Sequence, residues 1–323
     1  MSERYDTLPV TLASVCGAAL TASFVSQLAR RRVVVRRTGQ QIFTANSGNV
    51  LAYSIAGDLA TRRPVVVFEC GLMSTALHWS WVVRSLEQTT PLLTYDRAGY
   101  GCSYYRGPRP YSLEVSIRDL RDLVRGVLGD RPIVLVGHSL GGYLIIRVLQ
   151  LLHHLAVGAV LIDSSHPGEL RRSVAQAQGA ESLSNSLALM PVSLSLGLGM
   201  LLARPPWVDQ LPAEVRKVAF AQYRDARMWR AGLREWRATY AEFQQFSGTL
   251  PRLPVHVEVV SATHTCERDP VQHELHDEIA ARAPSSCRHF IDNFTHDELL
   301  MLPQPAAQVA RIVETTCARA DLC

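Results

Sequence analysis

Apolar and polar positions alternate with two different periods along residues 40–315. Two alternating segments flank Asn46-Ser47-Gly48-Asn49, which predicts a β-hairpin. Short β-branched runs, typical of strands buried on both faces of a sheet, follow at 64–69, 91–96, 132–138 and 156–163. Apolar positions with helical spacing lie between these runs, at 76–88, 112–128 and 140–152. Two more strands, each followed by a helix, are predicted at 255–261 and 288–293. A hairpin followed by β-α-β repeats predicts an α/β fold, a mostly parallel eight-stranded sheet with helices on both faces.

The segment 169–250 interrupts this pattern after the sixth predicted strand. It has no strand pattern, is helical in character and carries Trp207, Tyr223, Trp229, Trp236, Tyr240, Phe243 and Phe246. An insertion at this point would lie over the carboxyl ends of the strands, where ligands bind in open α/β sheets. We therefore expect a helical cap that excludes water and shapes an apolar pocket. The predicted units are a leader at 1–32, a core at 33–168 and 251–323, and the cap at 169–250.

The N-terminal stretch 7–29 has no charged residue and is followed by Arg30, Arg31, Arg32, Arg36 and Arg37. Its length suits a membrane span of about 20 residues, although it contains several Ser and Thr residues and one Pro. If it contacts or spans a membrane, the arginines should keep the main domain on the cytoplasmic side. The alternative is a helix lying on the globular domain, or a disordered leader, in a cytoplasmic protein.

Composition narrows the range of partners. The chain is 47% hydrophobic and 19% charged with a net charge of +4, and it has no basic stripe interleaved with aromatic residues, so we expect no nucleic-acid partner. Seven scattered cysteines without a C-x-x-C pair, and histidine pairs without a third ligand, predict no metal site. Nucleotide and dinucleotide motifs are missing from the sequence, so we expect no cofactor.

The strongest chemical signal is Gly137-His138-Ser139-Leu140-Gly141, a G-x-S-x-G motif between a predicted strand and a predicted helix. In that setting the serine lies on a sharp turn that leaves its hydroxyl exposed at a helix N-terminus. A serine needs a base to take its proton and an acid to orient that base. Ser139 is therefore the candidate nucleophile.

His296 follows the last predicted strand and is the candidate base. Asp269, in the loop after the strand at 255–261, is the preferred acid; Asp163, at the end of the preceding strand, and Glu267 are the alternatives. The backbone N–H groups of Leu140, directly after the nucleophile, and of Leu72, after Gly71, are expected to form the oxyanion hole.

These motifs, in this order, resemble the α/β-hydrolase superfamily, and most closely its bacterial esterase and lipase-like members. The resemblance extends over residues 40–315 and implies the roles given above for Ser139, His296, Leu72 and Leu140. The loop 262–269 lacks a glycine often found there in the family, so the choice of acid stays open. A serine at position 139 argues against dehalogenases and epoxide hydrolases, for which the resemblance would require aspartate.

The sequence thus predicts a serine hydrolase that cleaves a small-molecule carboxylic ester or thioester with an apolar group, through an acyl-enzyme intermediate. Two alternatives use the same fold: non-hydrolytic chemistry, as in a cofactor-free perhydrolase or a lyase, and a binding protein without turnover.

Overall fold

The computed structural model describes residues 27–35, 39–108, 110–196 and 201–320, together with Thr21, Val25 and Gly199. Within them, eight strands form one sheet in the order β1-β2-β4-β3-β5-β6-β7-β8. The strands are β1 (Gln41–Thr44), β2 (Val50–Ala56), β3 (Val65–Glu69), β4 (Leu92–Asp96), β5 (Ile133–His138), β6 (Ala156–Ile162), β7 (Val257–Ala262) and β8 (Ser286–Ile291). β2 pairs antiparallel with β1 and β4, and the remaining pairs are parallel. The predicted sheet is confirmed.

Helices cover both faces of this sheet. After a 3₁₀ turn at Ala76–Trp79, the core helices are α1 (Ser80–Leu86), α2 (Leu113–Leu128) and α3 (Leu140–Leu152). Between β6 and β7 lie α4 (Glu169–Arg172), α5 (Val174–Ser195), α6 (Pro206–Gln210), α7 (Ala213–Tyr223) and α8 (Ala226–Gln245), in the segment that the sequence predicts as a cap. The last four are α9 (Thr263–Arg268), α10 (Pro270–Ala280), α11 (Glu298–Met301) and α12 (Pro303–Ala320).

The central strands show why the sheet is covered on both sides. Successive side chains of a strand point to opposite faces, and all five residues of β3 are buried. Val65 and Val67 pack into the apolar layer under α2 and α3, whereas Val66 and Phe68 pack into the layer under α1 and α12. The side chains of β3 therefore contribute to the apolar cores on both faces of the sheet. Polar groups can lie at the edge formed by the carboxyl ends of the strands.

The stretch 7–29, proposed as a membrane contact, lies almost entirely outside the described residues. Residues 27–35 are helical, and their polar side chains contact the cap and a neighbouring loop. Gln27 Nε2 donates to the carbonyl oxygen of Ser195 at 2.9 Å, and an Arg31 guanidinium nitrogen donates to that of Gly101 at 2.7 Å. Among the helices that the structure describes, none is both long and apolar enough to span a bilayer.

Candidate active site

Ser139 occupies a sharp turn between β5 and α3. Its φ of +55° lies in a region that residues other than glycine rarely adopt. Backbone hydrogen bonds to the end of β6 and to the residues after it hold this turn. The Ser139 N–H donates to the Ile162 carbonyl, and the Ser139 carbonyl accepts from the Ser165 N–H, both at 3.0 Å. A Cβ on Gly141 would lie 2.4 Å from the carbonyl oxygen of Glu69, so only glycine fits there.

The imidazole of His296 is hydrogen-bonded to a buried carboxylate at the end of β6. His296 Nδ1–H donates to Asp163 Oδ2 at 2.8 Å. The same oxygen accepts from the Thr265 hydroxyl at 2.6 Å, and Asp163 Oδ1 accepts from the Ala262 N–H at 3.2 Å. Asp163 has a φ of +41°, directly after the last β6 residue. Three donors therefore hold the Asp163 carboxylate. Because Nδ1 of His296 carries the proton of the bond to Asp163, Nε2 is the ring nitrogen able to accept a proton.

Asp269, the preferred acid in the sequence, lies elsewhere. Its Oδ2 accepts from the Ser173 hydroxyl at 2.5 Å and from Gln272 Nε2 at 3.3 Å. The physical reason is that the chain after β7 folds at once into α9, and Asp269, directly after this helix, is held by the Ser173 hydroxyl of the cap. This geometry corrects the expected pairing: the structure brings His296 together with Asp163, one of the two alternatives, and not with Asp269.

Glu267, the other alternative, lines the same cavity as Ser139 and His296. The neighbour that hydrogen-bonds to His296 is Asp163. Nothing in the sequence singles out Thr265, because a threonine outside any motif carries no distinctive signal.

For both Asp163 and His296, burial and the charge of the partner shift the pKa in opposite directions. Burial by itself would raise the pKa of Asp163, but the hydrogen bond and charge of His296, together with the Thr265 hydrogen bond, bring it to about 2. Burial by itself would lower the pKa of His296, and the Asp163 carboxylate outweighs burial and raises it. A base whose protonated form is stabilised in this way suits proton transfer from a hydroxyl.

A second histidine holds the loop that carries His296. The His138 and His296 rings lie 4.4 Å apart between centroids, and His138 Nε2 is 3.1 Å from the backbone oxygen of His296. Burial, followed by the charge of His296, lowers the pKa of His138 to about 3. His138 therefore stays neutral at physiological pH and can donate to this carbonyl.

Ser139, Asp163 and His296 line one cavity of about 770 Å³. Its other lining residues are all polar or charged: Ser164, Ser165, Glu169, Gln176, His264, Thr265, Glu267, Arg268, Gln272, Thr295 and Asp297. The pKa of Glu169 is raised to about 7, chiefly by burial. The sequence predicts an apolar pocket, whereas polar and charged residues line the cavity at Ser139. The sequence did not reveal that Glu169 and Gln176 of the cap would be among them.

The turn after β3 lies against Ser139. A Cβ on Gly71 would be 3.2 Å from Ser139 Cβ, which places this turn beside the hydroxyl-bearing residue. Buried Arg97 holds the turn by donating to the carbonyl oxygens of Cys70 and Gly71, the latter at 2.7 Å. In a trans peptide the N–H points opposite to the carbonyl, so the Leu72 N–H points away from Arg97.

Arg97 also connects this turn to the cap. Its Nε donates to Glu235 Oε1 of α8 at 2.7 Å, and it forms a second ion pair with Glu69 of β3. All three side chains are at most 3% exposed. The sequence gives no sign of the contact between Arg97 and Glu235, because 138 positions separate the two residues.

Known proteins with similar sequences include hydrolases of several kinds. A protein of Caulobacter segnis named as a putative carbamate hydrolase is 31% identical over 100 residues, which is 31% of this chain and 37% of that protein. Epoxide hydrolase 3 of Xenopus tropicalis is 28% identical over 127 residues, 38% of this chain and 33% of that protein. The matched segments span less than half the length of these curated relatives.

Solved structures share the fold over most of the chain. A thermophilic esterase from Thermogutta terrifontis matches with a TM-score of 0.61 and 19% identity, covering 86% of this chain and 99% of that one. An epoxide hydrolase from Bacillus megaterium matches with a TM-score of 0.66 and 19% identity, covering 85% and 99%. The family model of the alpha/beta hydrolase family matches residues 66–312, about three quarters of the sequence. The chain therefore belongs to the alpha/beta hydrolase family.

Proposed function

We propose that this alpha/beta hydrolase is a serine hydrolase that cleaves a carboxylic ester or thioester through an acyl-enzyme on Ser139. The observation that carries the proposal is the 2.8 Å bond between His296 Nδ1 and Asp163, beside a serine on a positive-φ turn that lines the same cavity. Nucleophile, base and acid are the three parts that acyl transfer needs.

In the proposed reaction, Ser139 Oγ attacks the carbonyl carbon while His296 Nε2 takes the hydroxyl proton. The tetrahedral intermediate places its negative oxygen near the N–H groups of Leu72 and Leu140. His296 then gives its proton to the leaving alcohol or thiol as the carbon–oxygen or carbon–sulfur bond breaks. Water, deprotonated by His296, hydrolyses the acyl-enzyme and restores Ser139. Asp163 stays ionised throughout and stabilises the imidazolium.

The polar lining favours a substrate with hydrogen-bonding groups near the scissile bond. Glu169, Gln176 and Gln272 offer acceptors and donors to such a group. Because the cavity carries several carboxylates, it favours a neutral or cationic group over an anionic one. A carbamate is the second candidate, because the Caulobacter relative is named for that activity and its carbonyl would be attacked in the same way.

The test is a turnover assay on matched acetate ester, thioester and carbamate substrates. Ser139→Ala should lose activity by about 10⁶-fold, since triad members act as a unit. Ser85→Ala is the matched control, because this serine is exposed on α1 and its hydroxyl donates to the Trp81 carbonyl of the same helix. Full activity in Ser139→Ala would refute the proposal. Peracid formation without ester cleavage would favour the non-hydrolytic alternative, and folded wild-type protein without turnover would favour a binding role.

A further inference from the structure

A cluster of metal-ligand side chains lies at the opposite edge of the sheet from Ser139. His256 comes directly before β7, Glu258 is its second residue, and Cys287 is the second residue of β8. The parallel register pairs Glu258 with Cys287, and His256 and Glu258 share a face because strand side chains alternate. The ligand atoms of His256, Glu258 and Cys287 lie within 4.8 Å of one another.

The contacts within this cluster cannot all be favourable as they stand. His256 Nε2 is 2.9 Å from Glu258 Oε1 and 2.7 Å from a guanidinium nitrogen of Arg319. If Nε2 carries a proton, it donates to Glu258 but opposes the N–H groups of Arg319. If Nε2 has no proton, it accepts from Arg319 but its lone pair faces the carboxylate. One nitrogen therefore cannot serve both neighbours as a hydrogen-bonding partner.

A metal ion in place of the Arg319 guanidinium removes this conflict, because the Nε2 lone pair and the carboxylate can then both bind the metal. The Arg319 nitrogen already lies between them, 2.7 Å from His256 Nε2, 3.2 Å from Glu258 Oε1 and 3.9 Å from Cys287 Sγ. A metal ion at that point would receive an imidazole lone pair, a carboxylate and a thiolate. Nitrogen, oxygen and sulfur ligands of this kind suit zinc, which binds three protein ligands and an exchangeable fourth at open sites.

Neighbouring groups aim the ligand atoms at the same point. His256 Nδ1 is 2.8 Å from Ser285 Oγ, and donation from Nδ1–H to this hydroxyl leaves the Nε2 lone pair available. His289 Nε2 is 2.6 Å from Glu258 Oε2, and donation there leaves Oε1 for a metal. Outer-shell hydrogen bonds of this type orient metal ligands in proteins.

The cluster can be reached from solvent. Glu258 is 2% exposed, but it lines a groove of about 420 Å³ between β8 and α12, together with His289 and Arg319. The Arg319 side chain is 48% exposed and lies in the last turn of α12, so it can move into water. We propose that His256, Glu258 and Cys287 bind a zinc ion in exchange for the Arg319 guanidinium. This inference revises the expectation from the sequence that the chain binds no metal, and it is independent of the proposed hydrolase activity.

Calorimetric titration of the full chain with Zn²⁺ tests the proposal. Removing a ligand in His256→Gln or Cys287→Ser should weaken binding at least about tenfold, and His289→Gln should weaken it about 10–100-fold through loss of orientation. Arg319→Gln should tighten binding, because it removes the competing cation. The matched controls are His273→Gln and Cys266→Ser, which remove the same residue types outside the cluster and should leave zinc affinity unchanged.

A second measurement identifies the thiolate directly. Co²⁺ bound at this site should give a sulfur-to-cobalt charge-transfer absorption in wild-type and Arg319→Gln protein, and not in Cys287→Ser. The proposal is overturned if folded Arg319→Gln protein binds no stoichiometric zinc, or if binding in Cys287→Ser equals that of wild type. Either result would show that the cluster is an ion-pair network only, with zinc bound elsewhere or not at all.

Discussion

Replacement of Asp163 by asparagine separates the two candidate acids. In the structure the carboxylate accepts from three donors, His296, Thr265 and the Ala262 N–H, through both of its oxygens. An amide offers one oxygen and one NH₂ group, so in either orientation its NH₂ group faces a donor. If NH₂ faces His296, the imidazole must turn to the tautomer whose Nε2 carries the proton and cannot act as a base. In the other orientation the negative charge that stabilises the imidazolium is still lost.

The expected loss in kcat for Asp163→Asn is about 10⁴-fold, the size found when a triad aspartate is replaced in this way. That corresponds to about 5 kcal/mol of transition-state stabilisation. The matched variant is Asp269→Asn. Both hydrogen bonds to Asp269 go to one oxygen, so an amide oxygen can replace it, and kcat should stay within about threefold of wild type.

The assay is steady-state hydrolysis of an activated ester, with circular dichroism to show that both variants fold. The pH profile adds a second readout, because loss of the Asp163 charge should lower the apparent pKa of the base. Near-normal kcat in Asp163→Asn, combined with a large loss in Asp269→Asn, would refute the pairing of His296 with Asp163 as the working arrangement.

The remaining predictions concern pH dependence and stability. Asp163 raises the pKa of His296, and His296 must be neutral to act as the base. We therefore expect kcat/KM to rise with pH through a midpoint above the ordinary histidine pKa of about 6.5. A midpoint below that value would contradict the assignment of His296 as the base. Arg97→Met should lower the free energy of unfolding by about 3–5 kcal/mol in urea titrations, because it leaves the buried carboxylates of Glu69 and Glu235 without their ion pair. A loss below about 1 kcal/mol would contradict a stabilising role of these ion pairs. Gly141→Ala should destabilise the fold, since its Cβ would meet a backbone oxygen at 2.4 Å, whereas Gly179→Ala, with open space on α5, should be neutral or stabilising by up to about 1 kcal/mol.

The sheet could be predicted because its signal is local. The run 64–69 is apolar and β-branched, and the structure has β3 at Val65–Glu69. The turn at Ser139 could be predicted equally well, because its glycines and the flanking strand and helix are contiguous in sequence. Long-range contacts left no such signal, and the bond between Arg97 and Glu235 is an example.

Which carboxylate pairs with His296, and which residues line the cavity at Ser139, depends on tertiary packing and could not be predicted from local sequence. The sequence 263–268 has no amphipathic pattern, yet it forms α9 and shifts Asp269 away from His296. The aromatic residues of the cap suggested an apolar pocket, but several of them pack on one another: the Tyr223 and Trp229 rings lie 5.6 Å apart, and the Trp236 and Tyr240 rings lie 5.8 Å apart. Polar residues such as Glu169 face the cavity instead.

Covalent labelling with a fluorophosphonate, followed by mass spectrometry of the intact chain and its peptides, tests most directly whether Ser139 is an activated nucleophile. The probe reacts with a serine only when a base activates the hydroxyl. We predict one label per chain on the peptide that contains Ser139, complete loss of the label in Ser139→Ala, and strongly slowed labelling in Asp163→Asn. Labelling that persists in Ser139→Ala, or a folded wild-type protein that takes up no label, would contradict the assignment of Ser139 as the nucleophile.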